Sequence, residues 1–231
     1  MSTVHLVGGE KGGVGKSVVA RVLAQYLVDR DLKFVGIDAD RSHGALLRTY
    51  ADFTQPADLE VFASADQIMD RALGSDRRVL VDLPAQSARA LRRWMDAGGV
   101  VQFARDMDVK LVFWHVSDGG FDSVSELERA QATFEQSVTY VVVRNFGRSS
   151  DFAQLDESKA LRDAVGRGGR VIDLPALDPA TMYKVDRFGS SFWAAVHAQE
   201  GEFVLSPMER RRAELWLSRA FHALDSLENV I

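Results

Sequence analysis

The feature that most constrains this chain is a glycine-rich segment near its start, placed between an apolar run and a stretch of helical periodicity. Five of the first fifteen residues are glycine, and residues 8–17 read GGEKGGVGKS. Glycines let the backbone curl so that successive N–H groups point inward around an anion, and the positive end of the following helix adds to that field. Between a strand and a helix, such a segment predicts a phosphate-binding loop.

Short apolar runs recur along the rest of the chain, separated by segments with helical periodicity. The runs are continuous rather than alternating, which is typical of strands covered on both faces. They occupy residues 4–7, 34–37, 79–81, 109–116, 138–143 and 171–172. Because parallel neighbours need crossover helices, the sequence predicts an α/β fold: a single doubly wound domain over residues 1–231, with a mostly parallel sheet of about six to eight strands and helices on both faces.

Two helices have clear signals at the level of sequence. The closing helix, predicted over residues 206–228, has Ser206 at its N-cap, Pro207 at its first position and Glu209 completing a capping box. The first helix, predicted over residues 17–30, places apolar side chains at i, i+3, i+4, i+7 and i+8 on one face. These side chains are Val19, Val22, Leu23, Tyr26 and Leu27.

The glycine-rich loop departs from the strict pattern G-x-x-x-x-G-K-[ST] at one position, because Glu10 takes the place of the first glycine. Residues 11–17 read KGGVGKS, a deviant form with a second lysine, Lys11, five residues before the usual one. In such loops Lys16 would reach the β- and γ-phosphates and the Ser17 hydroxyl would ligate Mg²⁺. The loop therefore predicts a site for ATP or GTP.

Carboxylates follow two of the predicted strands. Asp38 and Asp40 come at the end of the second strand, and Asp82 ends the run over residues 78–82. In open α/β folds, ligands bind at the carboxyl edge of the sheet. Carboxylates there would repel a triphosphate unless Mg²⁺ stood between them, so they imply a metal ion. The alternative for either acid of the first pair is that it only caps the segment over residues 42–50.

On these motifs the sequence resembles the ParA/MinD family of deviant P-loop ATPases, which partition plasmids, place division sites and position cellular cargo. The resemblance covers most of the chain. It implies that Lys11 reaches across an ATP-dependent sandwich homodimer to the partner's phosphates. It also implies that Asp40 lies in the switch that orients the attacking water, and that residues 83–86 form a second switch. The implied catalytic residues are thus Lys11, Lys16 and Asp40.

The same resemblance implies the ligands of Mg²⁺ and ATP. The metal would be held by Ser17, Asp38 and Asp82. Asn145, at the end of the fifth long apolar run, has an amide that could pair with the N6 and N7 edge of adenine, and Pro175 begins a loop that resembles the family's base-flanking loop. The alternative for Asn145 is a turn-forming role ahead of Gly147. The full expected ATP-binding set is Lys11, Gly12, Gly13, Val14, Gly15, Lys16, Ser17, Val18, Asn145 and Pro175.

Two departures from the family pattern are visible. Glu10 brings a negative charge beside a phosphate loop, so we expect its side chain to point to solvent or to a partner subunit. After Asp40 the chain continues with residues 41–43, RSH, where partition proteins of the family usually have Pro-Gln. This places the chain nearer to the ParA-like proteins of conjugative or mobilisable elements than to the best-known branch.

Composition bears mainly on partners. The net charge of −5 makes DNA binding depend on a local patch. The candidate cations are Arg89, Arg92, Arg93, Lys159, Arg162, Arg167 and Arg170, and the alternative is that they form solvated helix faces. No apolar run approaches the ~18 residues of a membrane span. Basic and acidic residues offset each other in the closing helix, so we expect no membrane contact and a cytoplasmic protein.

Three function classes stay open at this point. The first is an ATP-dependent dimerisation switch with slow Mg-dependent hydrolysis, which partitions or positions DNA or another cargo together with an activating protein or cargo adaptor. The second is a biosynthetic enzyme of the dethiobiotin or cobyrinate amidation type. The third is an ATP-binding module with little hydrolysis. The chain has no cysteine, which argues against the metal-handling relatives that use Cys pairs.

Overall fold

A computed structural model describes residues 1–74, 76–134, 137–227 and 229–231. In this part of the chain, seven parallel strands form one sheet in the order β3-β2-β4-β1-β5-β6-β7. The strands are β1 Ser2–Gly8, β2 Phe34–Asp38, β3 Thr54–Pro56, β4 Arg78–Asp82, β5 Val109–Ser117, β6 Thr139–Asn145 and β7 Arg170–Leu174. The predicted fold class is confirmed. The sequence missed β3, because three residues are too few to form an apolar run.

Helices connect the strands and cover both faces of the sheet. They are α1 Lys16–Asp29, α2 Ala45–Thr49, α3 Phe62–Ala65, α4 Gln67–Ala72, α5 Ala88–Ala97, α6 Val100–Asp106, α7 Phe121–Phe134, α8 Ala153–Asp156, α9 Lys159–Gly166, α10 Pro179–Arg187, α11 Phe192–His197 and α12 Pro207–Asp225, with a 3-10 turn over Ala51–Phe53. No helix within the described ranges is both long and apolar enough to cross a membrane.

Two hydrophobic clusters form the core, one on each face of the sheet. Successive residues of one strand enter opposite clusters: Leu6 belongs to the cluster that contains side chains of α3 to α9, and Val7 to the cluster that contains side chains of α1, α2 and α10 to α12. This double coverage explains why the strands are apolar throughout. All five side chains of the predicted apolar face of α1 are buried.

The closing helix begins as predicted. Ser206 accepts a hydrogen bond from the Glu209 backbone, and the Glu209 side chain accepts one from the Ser206 backbone. The helix ends at Asp225, earlier than predicted, and the predicted end at residue 228 lies outside the described residues.

The sheet topology determines where a ligand can bind. From β1 the chain moves towards the β3 edge, and from β4 it crosses β1 and continues towards the β7 edge. The strand order therefore reverses beside β1. In open α/β sheets the crevice at the carboxyl ends of the strands next to such a reversal is the usual binding site, and the glycine-rich loop leaves β1 at that point.

Candidate functional site

The loop over residues 9–15 takes a backbone shape that requires glycine at its end. Gly15 is the N-cap of α1, with φ of 100° in the left-handed region. A Cβ placed on Gly15 would lie 2.2 Å from the Asn145 amide nitrogen. Both the torsion and the close approach exclude a larger side chain, so the end of the loop is locked against the end of β6.

Lys16 is the first residue of α1 and is 7% exposed. Its ammonium donates a hydrogen bond to the Lys11 carbonyl at 2.8 Å. Burial lowers the pKa of Lys16, although the nearby carboxylate of Asp82 opposes this change. Lys16 is thus a buried cation held beside the loop, in the position that a phosphate-binding lysine needs.

Lys11 lies in a different environment from Lys16. Its ammonium forms an ion pair with Asp118 at 2.7 Å, and its backbone N–H donates to Glu126 at 2.9 Å. The hydrogen bond to Asp118 raises the pKa of Lys11, so the ammonium stays charged. The predicted contact of Lys11 with a partner's phosphates stays a prediction.

Asp38 and Asp82 lie side by side at the carboxyl edge, as register partners on β2 and β4. Asp82 is fully buried, and neither carboxylate oxygen has a hydrogen-bond partner among the described residues. Burial, reinforced by the neighbouring Asp38, raises the pKa of Asp82 to about 7, and the nearby Ser17 hydroxyl and Lys16 ammonium partly oppose this rise. A buried, unpaired carboxylate beside a second one is a site that a cation would stabilise.

Asp38 itself has partners on the backbone. Its carboxylate accepts from the Asp40 N–H at 3.0 Å and from the Leu47 N–H of α2 at 2.8 Å. Burial nevertheless raises the pKa of Asp38. The capping role considered as an alternative is therefore present, and it fixes the carboxylate next to Asp82.

Asp40 also caps the segment that follows it. Its carboxylate accepts from the backbone N–H groups of Ser42 and His43, at 2.9 and 3.2 Å. Asp40 lines the same cavity as the loop residues. Capping and proximity to the glycine-rich loop thus occur together at this residue, and its role in orienting water stays a prediction.

The first of two adjoining cavities follows the loop and the N-terminal turn of α1, and we call it the phosphate cavity. It has a volume of about 370 Å³. Its charged lining has four basic side chains and two carboxylates. The lining residues include Gly12, Gly13, Gly15, Lys16, Ser17, Val18, Arg21, Asp40, His43, Arg48, Arg148 and Asp186.

The second cavity, the base cavity, lies beyond α1 against the ends of β6 and β7 and has a volume of about 250 Å³. Most of its wall is apolar or aromatic, which suits a flat heterocycle. The lining residues are Val18, Asn145, Gly147, Arg148, Leu174, Pro175, Leu177, Pro179, Met182, Tyr183, Asp186 and Trp216.

Asn145 and Pro175, the two residues predicted to lie beside the base, both line the base cavity. The carbonyl of Pro175 accepts a hydrogen bond from the Trp216 indole at 2.7 Å, which fixes the Pro175 loop against α12. Asn145 is buried, and its amide donates to the Val14 carbonyl at 2.7 Å and accepts from the Gly147 N–H at 3.0 Å. The turn-forming role of Asn145 is therefore real, and its contact with adenine stays a prediction.

Several lining residues were not predicted from the sequence. Arg21 is a buried residue of α1 and pairs with Asp186 of α10 at 2.6 Å. Arg48, Arg148 and Tyr183 line one or both cavities. No motif predicts these positions, because helices and a turn from distant parts of the chain bring them to the two cavities.

The expectation that the Glu10 side chain points to solvent is wrong, and its contact with a partner subunit stays a prediction. Its carboxylate points neither to open solvent nor away from the chain, but accepts a hydrogen bond from the Ala88 N–H at 2.7 Å. Ala88 is the first residue of α5, so the carboxylate binds the positive end of that helix. The Gln86 N–H also donates to the Glu10 carbonyl, at 3.3 Å. Glu10 thus connects the loop to the second predicted switch.

The acids at this edge fit a magnesium ion that is bound together with a nucleotide. Across the described ranges, no cluster of three or more His, Cys, Asp or Glu side chains could hold a metal by itself. Mg²⁺ usually keeps several waters and binds through one or two carboxylates and the substrate's phosphates. The unpaired Asp82, the adjacent Asp38 and the Ser17 hydroxyl are a donor set of that kind.

The residues suggested for DNA binding are mostly occupied by intramolecular contacts. Arg92 pairs with Asp96 and Arg93 with Glu60, while Lys159 pairs with Asp163. Arg162 and Arg170 donate to backbone carbonyls. These contacts favour the alternative of solvated helix faces.

Comparison with known families assigns the loop and its acids to a shared domain. Residues 6–176 match the family described as the CobQ/CobB/MinD/ParA nucleotide binding domain. The chain belongs to this family. The resemblance drawn from the motifs is thereby confirmed. The match of this CobQ/CobB/MinD/ParA domain includes the loop, the three acids, Asn145 and Pro175, and it ends before α10, which supplies part of the base cavity.

Relatives of known sequence and structure agree with this membership. The chain is similar to Protein TraL of Escherichia coli, with 26% identity across 98% of each chain. It is also similar to Protein MobD of Acidithiobacillus ferrooxidans, with 28% identity over 75% of this chain and 77% of MobD. The MinD cell division protein of Aquifex aeolicus matches with a TM-score of 0.50 and 17% identity over 95% of this chain and 96% of that one. A ParA family ATPase from Chlorobium tepidum TLS matches with a TM-score of 0.52 and 14% identity over 93% and 97%. These two structures share the fold.

Proposed function

We propose that this protein is a ParA/MinD-like ATPase in which Mg²⁺–ATP drives formation of a homodimer and slow hydrolysis returns it to the monomer. The observation that carries the proposal is the pair of adjoining cavities, which share three lining residues, together with the buried, unpaired Asp82 beside the phosphate loop. A protein of similar fold from Archaeoglobus fulgidus, at 18% identity, has been solved as a complex with ADP. The output would be the partitioning or positioning of DNA or another cargo, with an activating protein or adaptor as partner.

Different residues in and beside the two cavities bind the nucleotide, bind the metal and act in hydrolysis. The ammonium of Lys16 and the N–H groups of residues 12–18 would hold the β- and γ-phosphates, while Ser17, Asp82 and Asp38 would hold the metal. Mg²⁺, when bound, neutralises charge that develops on the phosphates. Asp40 lines the cavity and orients the water that attacks. Phosphoryl transfer needs little covalent help, so positioning and electrostatics supply most of the catalysis.

Lys11 is the residue that would connect two subunits. In this chain its ammonium is paired with Asp118, which is only partly buried. A partly exposed ion pair contributes about 0 to 1 kcal/mol, so exchange of the carboxylate for the phosphates of a partner's nucleotide carries little penalty. The pair therefore supports a Lys11 that is available to a second subunit.

Size-exclusion chromatography of an Asp40→Ala variant tests this function directly. With Mg²⁺–ATP the variant should elute as a dimer, and with ADP as a monomer, because loss of the water-orienting carboxylate leaves binding intact and stops hydrolysis. The matched control is the double variant Asp40→Ala with Lys11→Ala, which should bind ATP and stay monomeric. An Asp40→Ala protein that binds ATP and elutes as a monomer would exclude the dimerisation switch.

A biosynthetic role is the second candidate, because the family description also includes CobQ and CobB. Such an enzyme would hydrolyse ATP only with its small substrate. The switch should instead turn over slowly alone and faster with DNA or a protein partner. Phosphate release measured with each addition separates the two, and tight ATP binding without any release would indicate the binding module.

A further inference from the structure

The phosphate and base cavities meet at three residues that line both: Val18, Arg148 and Asp186. A nucleotide with its phosphates in one cavity and its base in the other must pass its ribose and α-phosphate over this junction. The residues at the junction would therefore contact the part of such a ligand that is common to ATP and ADP.

Arg148 is placed at the junction by the turn that ends β6. Its backbone N–H donates to the Asn145 carbonyl at 2.9 Å, and the Gly147 N–H donates to the Asn145 side chain at 3.0 Å. The Arg148 Nε lies 3.9 Å from the point that a Cβ on Gly15 would occupy. The guanidinium thus lies directly over the end of the phosphate loop.

The charges around the junction leave Arg148 available for an anion. Asp186 is engaged with the buried Arg21 at 2.6 Å, and Arg48 donates to the His43 carbonyl at 2.8 Å. The Arg148 side chain is exposed and has no ion pair or hydrogen bond to any other described residue. An arginine fork without a partner, facing a cavity that must receive phosphate, matches the geometry of two phosphate oxygens.

We propose that Arg148 binds the α-phosphate of the nucleotide and acts as a positioning residue between the two cavities. The inference rests on the proposed nucleotide function and adds to it a residue outside the glycine-rich loop. Because the α-phosphate is present in ATP, ADP and AMP, Arg148 holds all three, whereas Lys16 acts on the β- and γ-phosphates. Arg148 therefore contributes to retention of the nucleotide and not to discrimination between ATP and ADP.

Calorimetric titration of the full chain with ATP, ADP and AMP tests the proposal. Arg148→Gln should lower the affinities for ATP and for ADP by about ten- to a hundredfold each, which is the range for a hydrogen bond between charged groups. The affinity for AMP should fall by a similar factor, and Arg148→Lys should recover part of the affinity for all three nucleotides. Adenosine, followed by ligand-observed NMR, should bind the variant and the wild type equally.

The matched control is Arg105→Gln, which removes an exposed arginine from the last turn of α6, before the amino end of β5. It should leave all affinities unchanged. Unchanged ADP affinity in Arg148→Gln, or a loss confined to ATP, would overturn the α-phosphate assignment and leave the proposed function standing. An equal loss for adenosine would show that the base cavity is disturbed and would also overturn it. Wild-type protein that binds none of these nucleotides would overturn the proposed function itself.

Discussion

The phosphate cavity and the base cavity adjoin each other but are built in opposite ways. The phosphate cavity takes six of its fifteen lining residues from one contiguous segment, residues 12–18, whose shape is set by glycine torsions and a helix end. The base cavity draws on β6, β7, α10 and α12, from Asn145 to Trp216. The first cavity thus depends in large part on local backbone and charge, whereas the second depends on the packing of distant elements. Substitutions in the two should therefore have separable effects on ligands that carry only phosphates and on ligands that also carry a base.

The largest expected effect is at Lys16. Lys16→Ala removes the buried ammonium beside the loop, and we expect the affinities for ATP and for inorganic tripolyphosphate to fall together by about a thousandfold or more, or at least ~4 kcal/mol. Titration calorimetry with both ligands measures this. Lys11→Ala is the matched control, since its ammonium pairs with Asp118, and it should change neither affinity in the monomer by more than about threefold. An ATP affinity that survives in Lys16→Ala would show that the base cavity alone holds the nucleotide.

The second effect concerns Asp82 and the pH dependence of folding. Burial raises the pKa of Asp82 to about 7, well above the value of about 3.9 for an unfolded chain. The folded protein thus holds a proton that the unfolded chain releases, so stability falls as pH rises from about 4 to 7 and levels off above that. Asp82→Asn removes the penalty, and we expect the free energy of unfolding without nucleotide or metal to rise by about 2 to 4 kcal/mol at pH 8.

Urea unfolding at pH 5 and pH 8 measures the Asp82 effect. The gain from Asp82→Asn should be larger at pH 8, and Asp52→Asn, at an exposed position, should show no such gain. A gain of the same size at both pH values would contradict the assignment of the titrating group to Asp82. Asp82→Asn should also lose Mg-dependent ATP binding, because the metal needs the ionised carboxylate of Asp82.

The difference between the cavities also explains which site residues could be predicted from the sequence. The loop, Asp38 and Asp82 were found because glycine spacing and strand ends directly encode their positions. Pro175 was predicted only through resemblance, and Asn145 through resemblance together with its amide at a strand end. Arg148 and Tyr183 were not found, since their approach to the cleft depends on the β6 turn and on how α10 packs.

Glu10 shows the limit of local reasoning about charge. From sequence, a carboxylate beside a phosphate loop should turn to solvent or to a partner subunit, yet the N-terminus of α5 lies close enough to bind it. That helix starts 78 residues later in the chain, and no feature of the loop predicts its distance. Strand β3 was missed for a related reason, because its pairing with β2 depends on a neighbour and not on its own three residues.

A third prediction concerns Asn145, which lines the base cavity and donates a hydrogen bond to the Val14 carbonyl of the glycine-rich loop. Asn145→Ala leaves the buried Val14 carbonyl and the Gly147 N–H without partners, and we expect a loss of about 1 to 3 kcal/mol in the free energy of unfolding. Because Val14 belongs to the loop, tripolyphosphate and ATP should both bind more weakly. Thermal and urea unfolding with parallel titrations measure these effects. Asn145→Asp keeps the acceptor for Gly147, so a variant as disturbed as Asn145→Ala would place the important contact at Val14.

The smallest expected effect is at Tyr183, on the outer wall of the base cavity. Its side chain is 65% exposed, so Tyr183→Ala should leave stability unchanged within about 0.5 kcal/mol. Loss of a ring beside the base should lower the affinity for ATP by about three- to tenfold, which is the contribution of one partly exposed aromatic contact. The affinity for tripolyphosphate should not change. Phe188→Ala, which removes an exposed ring just after α10 that does not line the cavity, is the matched control. Equal weakening of both ligands by Tyr183→Ala would show that the two cavities respond as one unit, since an aromatic wall can act on phosphate alone only by moving the loop.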